Sequence, residues 1–275
     1  MGPQDVDKED TSDAETGKGG FKEHFSFKKL KLVHDAPILF VVSQWQADKT
    51  KPGILYLIYR TIIVGFLLTT WAMSLNTPKY PIFLTNWGYT LATAQSVLGF
   101  ILSYGTVISL KFNYPKAHDI FLKLYPIYWI LHEIALSFAF MITIIFWTVL
   151  YNGTFFTATN FFVHGSNSIV LFIDLWIIAH PIHIPHYLYL FIFGQIYILF
   201  TVAYYYLDTN TGGSGIIYFI LDWNRPFQTI LMDLAISFLV LLLHVTSFGI
   251  HQIKILTHAR MCTRNTSQST QNLTV

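Results

Sequence analysis

Six apolar stretches recur along the sequence, each about as long as the 20-residue helix needed to cross ~30 Å of hydrocarbon. Proline-containing segments separate them: NTPKYP, FNYPKAHD, HPIHIPH and NRPF. Backbone polar groups cannot stay unsatisfied in lipid, so these stretches are predicted to be helices rather than coil. The predicted spans are Gly53–Leu75, Leu84–Leu110, Ile127–Leu150, Phe161–Ala179, Tyr187–Leu207 and Thr229–Ile250.

The composition agrees with a membrane protein. Of the 275 residues, 53% are hydrophobic and only 12% are charged, whereas a soluble domain carries about 25% charged residues. No basic patch with interleaved aromatic residues indicates nucleic-acid binding. The single cysteine, Cys262, excludes an internal disulfide bond. We therefore expect an all-α membrane protein whose environment is the lipid bilayer.

Orientation follows from the distribution of Lys and Arg. If both termini are cytosolic, the outside loops carry only Lys79 and Arg225, as the positive-inside rule requires. Residues 1–51 then form a cytosolic polar tail, mostly disordered, with APILFVVSQW as an interfacial segment. Residues 52–253 form the six-helix domain, and residues 254–275 form a second cytosolic tail. The Asn152 sequon falls in an outside loop, and no role is assigned to it.

Ionisable side chains inside predicted spans cost ~2.5–3.5 kcal/mol at a helix centre and are therefore candidate functional residues. Arg60 is expected to snorkel to the cytosolic surface. His132 and Glu133 are expected at the membrane interface, and Asp233 near the favourable start of the last helix. The full set is Arg60, His132, Glu133, His164, Asp174, Asp233 and His244.

The HPIHIPH segment places His180, His183 and His186 at intervals of three, a spacing that suggests a metal site. Its prolines prevent the regular helix that would align the imidazoles, and no cysteine or adjacent acid completes a ligand set. A turn at the membrane interface, without metal or cofactor, is the preferred interpretation.

Polar residues also open two spans, in FLTNWGYTLATAQ and FFVHGSNS. Helix capping by Thr85 or Asn86 and interhelical hydrogen bonds from Thr93 and Gln95 explain most of the first stretch. Both spans enter from the same face, so the Thr85 hydroxyl and the His164 imidazole can also converge. Histidine is the usual base for a hydroxyl nucleophile, and both alternatives remain open.

The membrane region resembles the rolling stone family of insect multi-pass membrane proteins. The resemblance runs through HDAPILFVVSQWQ, FLTNWGYTLATAQ, FFVHGSNSIVLFIDLW and LDWNRP. It implies a plasma-membrane protein of developing muscle that acts in myoblast fusion.

The chain is more distantly similar to the androgen-induced protein family of intramembrane threonine hydrolases. That likeness implies catalysis by Thr85 and His164, with Asn86 in support, on a fatty-acyl lipid ester. Gly165 and Ser166 depart from the His- and Asn-rich surroundings expected after the active histidine.

Three functions therefore compete. Support of myoblast fusion ranks first, lipid-ester hydrolysis second, and transport of a small solute last. The sequence lacks the internal repeat and the paired broken helices typical of transporters.

Overall fold

The computed structural model describes residues 24–76, 79–151, 153 and 158–272, and this part of the chain contains no β-strand. The Asn152 sequon and most of the N-terminal tail lie outside the described residues. The all-helical prediction is confirmed for what is described.

Eight α-helices follow one another in the described part of the chain. They are α1 (Ile54–Ser74), α2 (Leu84–Lys111), α3 (Pro115–Leu122), α4 (Tyr125–Ile145), α5 (Ala158–His164), α6 (Ser166–Ile177), α7 (Tyr187–Asn210) and α8 (Pro226–Asn272). One π-helical turn, Phe146–Leu150, extends α4. Proline stands in the first turn of α3 and α4 and is the first residue of α8. Its fixed φ and missing amide suit that position.

Five helical segments of the described chain are long and apolar enough to cross a membrane. They are Ile54–Ser74, Leu84–Lys111, Pro115–Leu150, Ile184–Asn210 and Pro226–Cys262. The remaining predicted span is a shorter apolar helix, Phe161–Ile177. It is interrupted at Gly165, where an added Cβ would lie 3.1 Å from the Phe161 carbonyl oxygen. The protein is thus a multi-pass membrane protein.

The N-terminal segment, residues 24–51, packs against the bundle. Phe40, Val41 and Val42 are fully buried in one cluster with Trp129. The Gln44 amide donates to the Ile177 carbonyl at 2.8 Å. These side chains fill the gap between the start of α4 and the end of α6, and the interfacial position of APILFVVSQW stays a prediction. The bundle end that carries this segment and residues 112–124 and 178–186 is called the basic end below.

Helix α2 lies at the centre and buries a polar, small-residue face along its whole length. The capping prediction for Thr85 and Asn86 was wrong, since Phe83 occupies the N-cap position. The Leu84 amide instead donates to the Tyr197 and Tyr218 hydroxyls at 3.1 and 3.0 Å. Aromatic residues from α7 and the α7–α8 connection thus satisfy the first amide of α2.

Gly99 is one of the positions at which α2 packs closely against its neighbours. A Cβ there would lie 2.9 Å from the ring of fully buried Tyr128 and 3.4 Å from the Arg60 guanidinium. At Gly65 on α1, by contrast, a Cβ would meet nothing within 4 Å.

We expect Gly99→Ala to destabilise the protein by about 1–3 kcal/mol, because the buried ring cannot move away without strain. Gly65→Ala is the matched control and should be neutral or slightly stabilising, since alanine suits a helix interior better than glycine. Thermal unfolding of the detergent-solubilised variants checks this. Equal midpoints for the two variants would contradict the close packing.

Candidate functional site

A buried ion pair connects α1 to α6 near the basic end. Arg60 and Asp174 are both fully buried, and Arg60 Nη1 lies 3.0 Å from Asp174 Oδ1. The expectation that Arg60 snorkels to the surface was wrong. A charge this deep is tolerable only when it is paired and hydrogen-bonded.

Three tyrosines hydrogen-bond to the two members of the pair. The Arg60 guanidinium donates to the hydroxyls of Tyr56 and Tyr128, both at 2.6 Å from Nη2. The Tyr59 hydroxyl donates to Asp174 Oδ1 at 2.9 Å. Phenolic oxygen accepts from the cation and phenolic O–H donates to the carboxylate, so both charges gain partners that lipid cannot supply.

A second acid, Glu133 on α4, joins three helices. Its carboxylate lies 3.0 Å from His186 Nδ1 at the start of α7 and 3.9 Å from His244 Nε2 on α8. On the same turn of α4, His132 Nε2 lies 3.6 Å from Asp174 Oδ2. His132 and Glu133 are fully buried, so the expectation of an interfacial position was wrong for both.

Lys254 supplies the second buried cation. Its Nζ donates to the carbonyl oxygens of Leu175 at 2.9 Å and Ile178 at 2.6 Å. These carbonyls end α6, where the helix dipole favours a positive charge. The polar core, as we name this cluster, consists of Arg60, His132, Glu133, Asp174, His186, His244 and Lys254.

The HPIHIPH loop lies between this cluster and the N-terminal segment. His180 stacks on Phe40 with ring centroids 4.9 Å apart, and His183 Nδ1 lies 3.1 Å from the Lys29 carbonyl oxygen. The expected turn at the membrane interface is instead folded into the protein, since His180 and His186 are fully buried. Among the described residues, no three His, Cys, Asp or Glu side chains are arranged to hold a metal ion.

Several buried polar atoms around the ion pair have no hydrogen-bond partner among the described residues. They include both ring nitrogens of His132, both amide atoms of Gln95, and the hydroxyls of Ser96 and Ser137. The interhelical role expected for Gln95 is therefore not seen. Each of these atoms is therefore a buried polar group that the neighbouring side chains leave unsatisfied.

The predicted catalytic residues lie elsewhere, toward the opposite end of α2. Thr85 is buried and follows Leu84, whose amide donates to the Tyr218 hydroxyl. Asn86 Nδ2 donates to the Tyr80 carbonyl oxygen at 2.7 Å.

His164 ends α5 and stacks on Phe146, with ring centroids 3.5 Å apart. Its carbonyl oxygen accepts from the Thr143 hydroxyl at 2.6 Å. The hydrogen bonds found among the described residues do not connect the Thr85 hydroxyl to the His164 imidazole. The catalytic pairing of these two residues stays a prediction.

These features define a class: a multi-pass helical membrane protein whose bundle is connected by buried ion pairs and closed at its basic end by its own N-terminal segment. The chain belongs to the rolling stone family. The model of that family, described as "Protein rolling stone", matches residues 19–270. The chain is 30% identical over 234 residues to Protein rolling stone of Drosophila melanogaster, covering 78% of this chain and 83% of that protein. No solved structure matches it.

Removing one partner of the buried ion pair should be severely destabilising. We expect Arg60→Met to cost about 3–5 kcal/mol, because the Asp174 carboxylate is left unpaired. The double variant Arg60→Met/Asp174→Leu should recover much of that loss, and Lys116→Met, at an exposed lysine of the basic end, should change little. Thermal midpoints in detergent measure all three, and a double variant as unstable as Arg60→Met would contradict a simple charge effect.

The loop histidines make stability depend on pH. Burial lowers the pKa of His183 to about 4, although the Glu133 carboxylate opposes the shift and the Lys29 carbonyl accepts its hydrogen bond. Burial also lowers the pKa of His180 well below its ordinary value, with the neighbouring His132 and Lys254 adding to the effect. Each imidazole is therefore neutral in the folded protein at neutral pH.

In the unfolded chain both imidazoles titrate near pH 6.5. Because the folded pKa values are lower, their stabilising contribution is present above pH 6.5 and is lost progressively as the pH falls toward 4. We expect the thermal midpoint to decline over that interval, and to decline less in His183→Asn. Parallel curves of thermal midpoint against pH for the variant and the wild type would exclude His183 as a source of the pH-dependent loss of stability.

Proposed function

We propose that this chain is a multi-pass protein of the plasma membrane that supports the fusion of myoblasts during muscle development. The observation that carries the proposal is the family relationship, because the match from residue 19 to residue 270 includes the N-terminal segment as well as the bundle. A match confined to the apolar helices would reflect membrane composition more than shared function. Here the segment that closes the basic end lies within the matched region.

The shape of the molecule favours a role within its own membrane or at the basic end. The connection between α1 and α2 covers residues 75–83, and the one between α7 and α8 covers residues 211–225. Neither is long enough to fold as an adhesion domain, for which about 50 residues are the usual minimum. The protein would then support fusion through neighbouring components of its own membrane and not by adhesion to the opposite cell.

Lipid hydrolysis is the alternative function, and the myoblast experiment described below can test it. It requires the Thr85 hydroxyl to attack a fatty-acyl ester carbonyl while His164 takes the proton and returns it to the leaving alcohol. Neither residue is hydrogen-bonded to the polar core among the described residues, so a variant at Thr85 can separate catalysis from the integrity of the polar core.

In myoblasts that lack the protein, we expect fusion to fall several-fold while differentiation markers remain normal. Re-expression of the wild type should restore fusion, and so should Thr85→Ala if the protein acts without catalysis. The readout is content mixing between two differently labelled populations, with an epitope tag to quantify the protein at the cell surface.

Two results would count against the proposal. Unchanged fusion in cells without the protein would remove the fusion role altogether. Rescue by wild type but not by Thr85→Ala, at equal surface amounts, would replace the non-catalytic role with hydrolysis.

A further inference from the structure

The hairpin of α7 and α8 presents a broad apolar face to its surroundings. On α7 the exposed side chains Ile192, Ile196 and Leu199 recur at helical spacing, and on α8 Leu234 and Phe238 do the same. In an apolar stretch of 18 residues of each of these two helices, 17% of the residues are buried inside the protein, against 50% in the corresponding stretch of α2. This hairpin is therefore the least enclosed part of the membrane bundle.

A polar pair lies between α7 and α8, beside that apolar face. Gln195 Nε2 on α7 lies 3.3 and 3.2 Å from the two carboxyl oxygens of Asp233 on α8, and both side chains are half-buried. Asp233 is the eighth residue of α8, which places it about 10 Å along the helix axis. The favourable field of a helix start fades within the first turn. The expectation that the helix dipole accounts for Asp233 therefore fails.

The pair has unused hydrogen-bonding capacity. A carboxamide offers two N–H donors and a carbonyl acceptor, and a carboxyl group offers four lone pairs. Within the described chain, Gln195 bonds only to Asp233, and Asp233 has no cationic partner. A cavity of about 40 Å³ lies beside them between the helices, lined in part by Gly194, Asp233 and Ser237. The face thus combines a donor, an acceptor and a recess.

We propose that this face binds a second copy of the same chain. The Gln195 amide of one protomer donates to the Asp233 carboxyl of its partner, and the reverse contact follows from the two-fold axis between them. A donor and an acceptor on one surface are self-complementary under such an axis. The exposed Ile, Leu and Phe side chains surround the polar contact and exclude lipid from it.

The chemistry of the face favours a second copy over other occupants. A lipid acyl chain would cover the apolar side chains but would leave the remaining hydrogen-bond donors and acceptors of the amide and carboxyl groups without partners. An unrelated helix would have to supply both an acceptor for Gln195 and a donor for Asp233 at matching spacing. A second copy supplies both by symmetry, and hydrogen bonds between membrane helices are the recognised use of such residues. This inference goes beyond the fusion proposal and does not depend on it.

Cysteine cross-linking of the full chain in membranes tests the interface. The native Cys262 is first replaced by serine, and a single cysteine is then introduced by Leu234→Cys. A disulfide between two copies requires their Cα atoms to approach within about 7 Å, so oxidation should give a covalent dimer. The matched control is Ile62→Cys, an equally lipid-exposed position on α1, which should give none.

The polar pair is then removed in the Leu234→Cys background. Gln195→Leu should weaken the dimer about tenfold, equivalent to about 1.4 kcal/mol, because two symmetric hydrogen bonds are lost. Asp233→Asn keeps an acceptor and should still form the dimer, which guards against a folding defect.

Three outcomes would overturn the proposal. They are no dimer from Leu234→Cys, a dimer unaffected by Gln195→Leu, and a disulfide adduct whose mass shows a different protein. The first would leave the face to lipid, the second would make the association non-specific, and the third would name another occupant.

Discussion

Arg60 and Asp174 face each other in a part of the bundle from which both water and lipid are excluded, and the surrounding architecture follows from that pairing. An unpaired charge there would cost about 3–5 kcal/mol, a large fraction of the stability of a folded domain. The pair is tolerable because the two charges face each other and three tyrosine hydroxyls add hydrogen bonds to them. Those tyrosines fix α1 against α4, the Asp174 carboxylate fixes α6, and Gly99 of α2 lets its helix approach the guanidinium. One interaction thus sets the relative positions of four helices.

The same constraint explains the role of the N-terminal segment. Helix α6 ends beside the polar core, so its last carbonyl groups would be left without partners at the basic end. Lys254 satisfies two of them, and the Gln44 amide satisfies a third. A segment that a hydropathy profile treats as a cytosolic tail therefore completes the bundle. Removal of the N-terminal segment would expose the last carbonyl groups of α6 and the histidines of the following loop.

The sequence predicted the helices well and the polar core poorly, for a physical reason. Apolar length fixes the existence of a span, and five of the six expected spans are helices long enough to cross a membrane. Partners of a buried charge, however, come from distant parts of the chain, as with Arg60 and Asp174. Charge counting places Lys254 in a cytosolic tail because it treats every lysine as solvated. Tyr56 and Tyr59, which lie beside Arg60 on α1, indicate that its guanidinium can be buried. They do not identify Asp174 as its partner, because that contact depends on the position of α6.

The polar core and the Gln195–Asp233 pair obey one rule in two environments. In the core, the surrounding helices provide every charge with a partner inside the chain, so those residues rigidify the fold. Between α7 and α8, the amide and carboxyl groups hydrogen-bond only to each other and are half-buried, so they retain unused hydrogen-bonding capacity. Because lipid cannot satisfy that capacity, a polar pair at the surface acts on association where a buried pair acts on folding. Whether a polar group acts on folding or on association depends on how far neighbouring helices enclose it and not on its charge. Asp174 and Asp233 are the same residue type, but only Asp174 is fully enclosed.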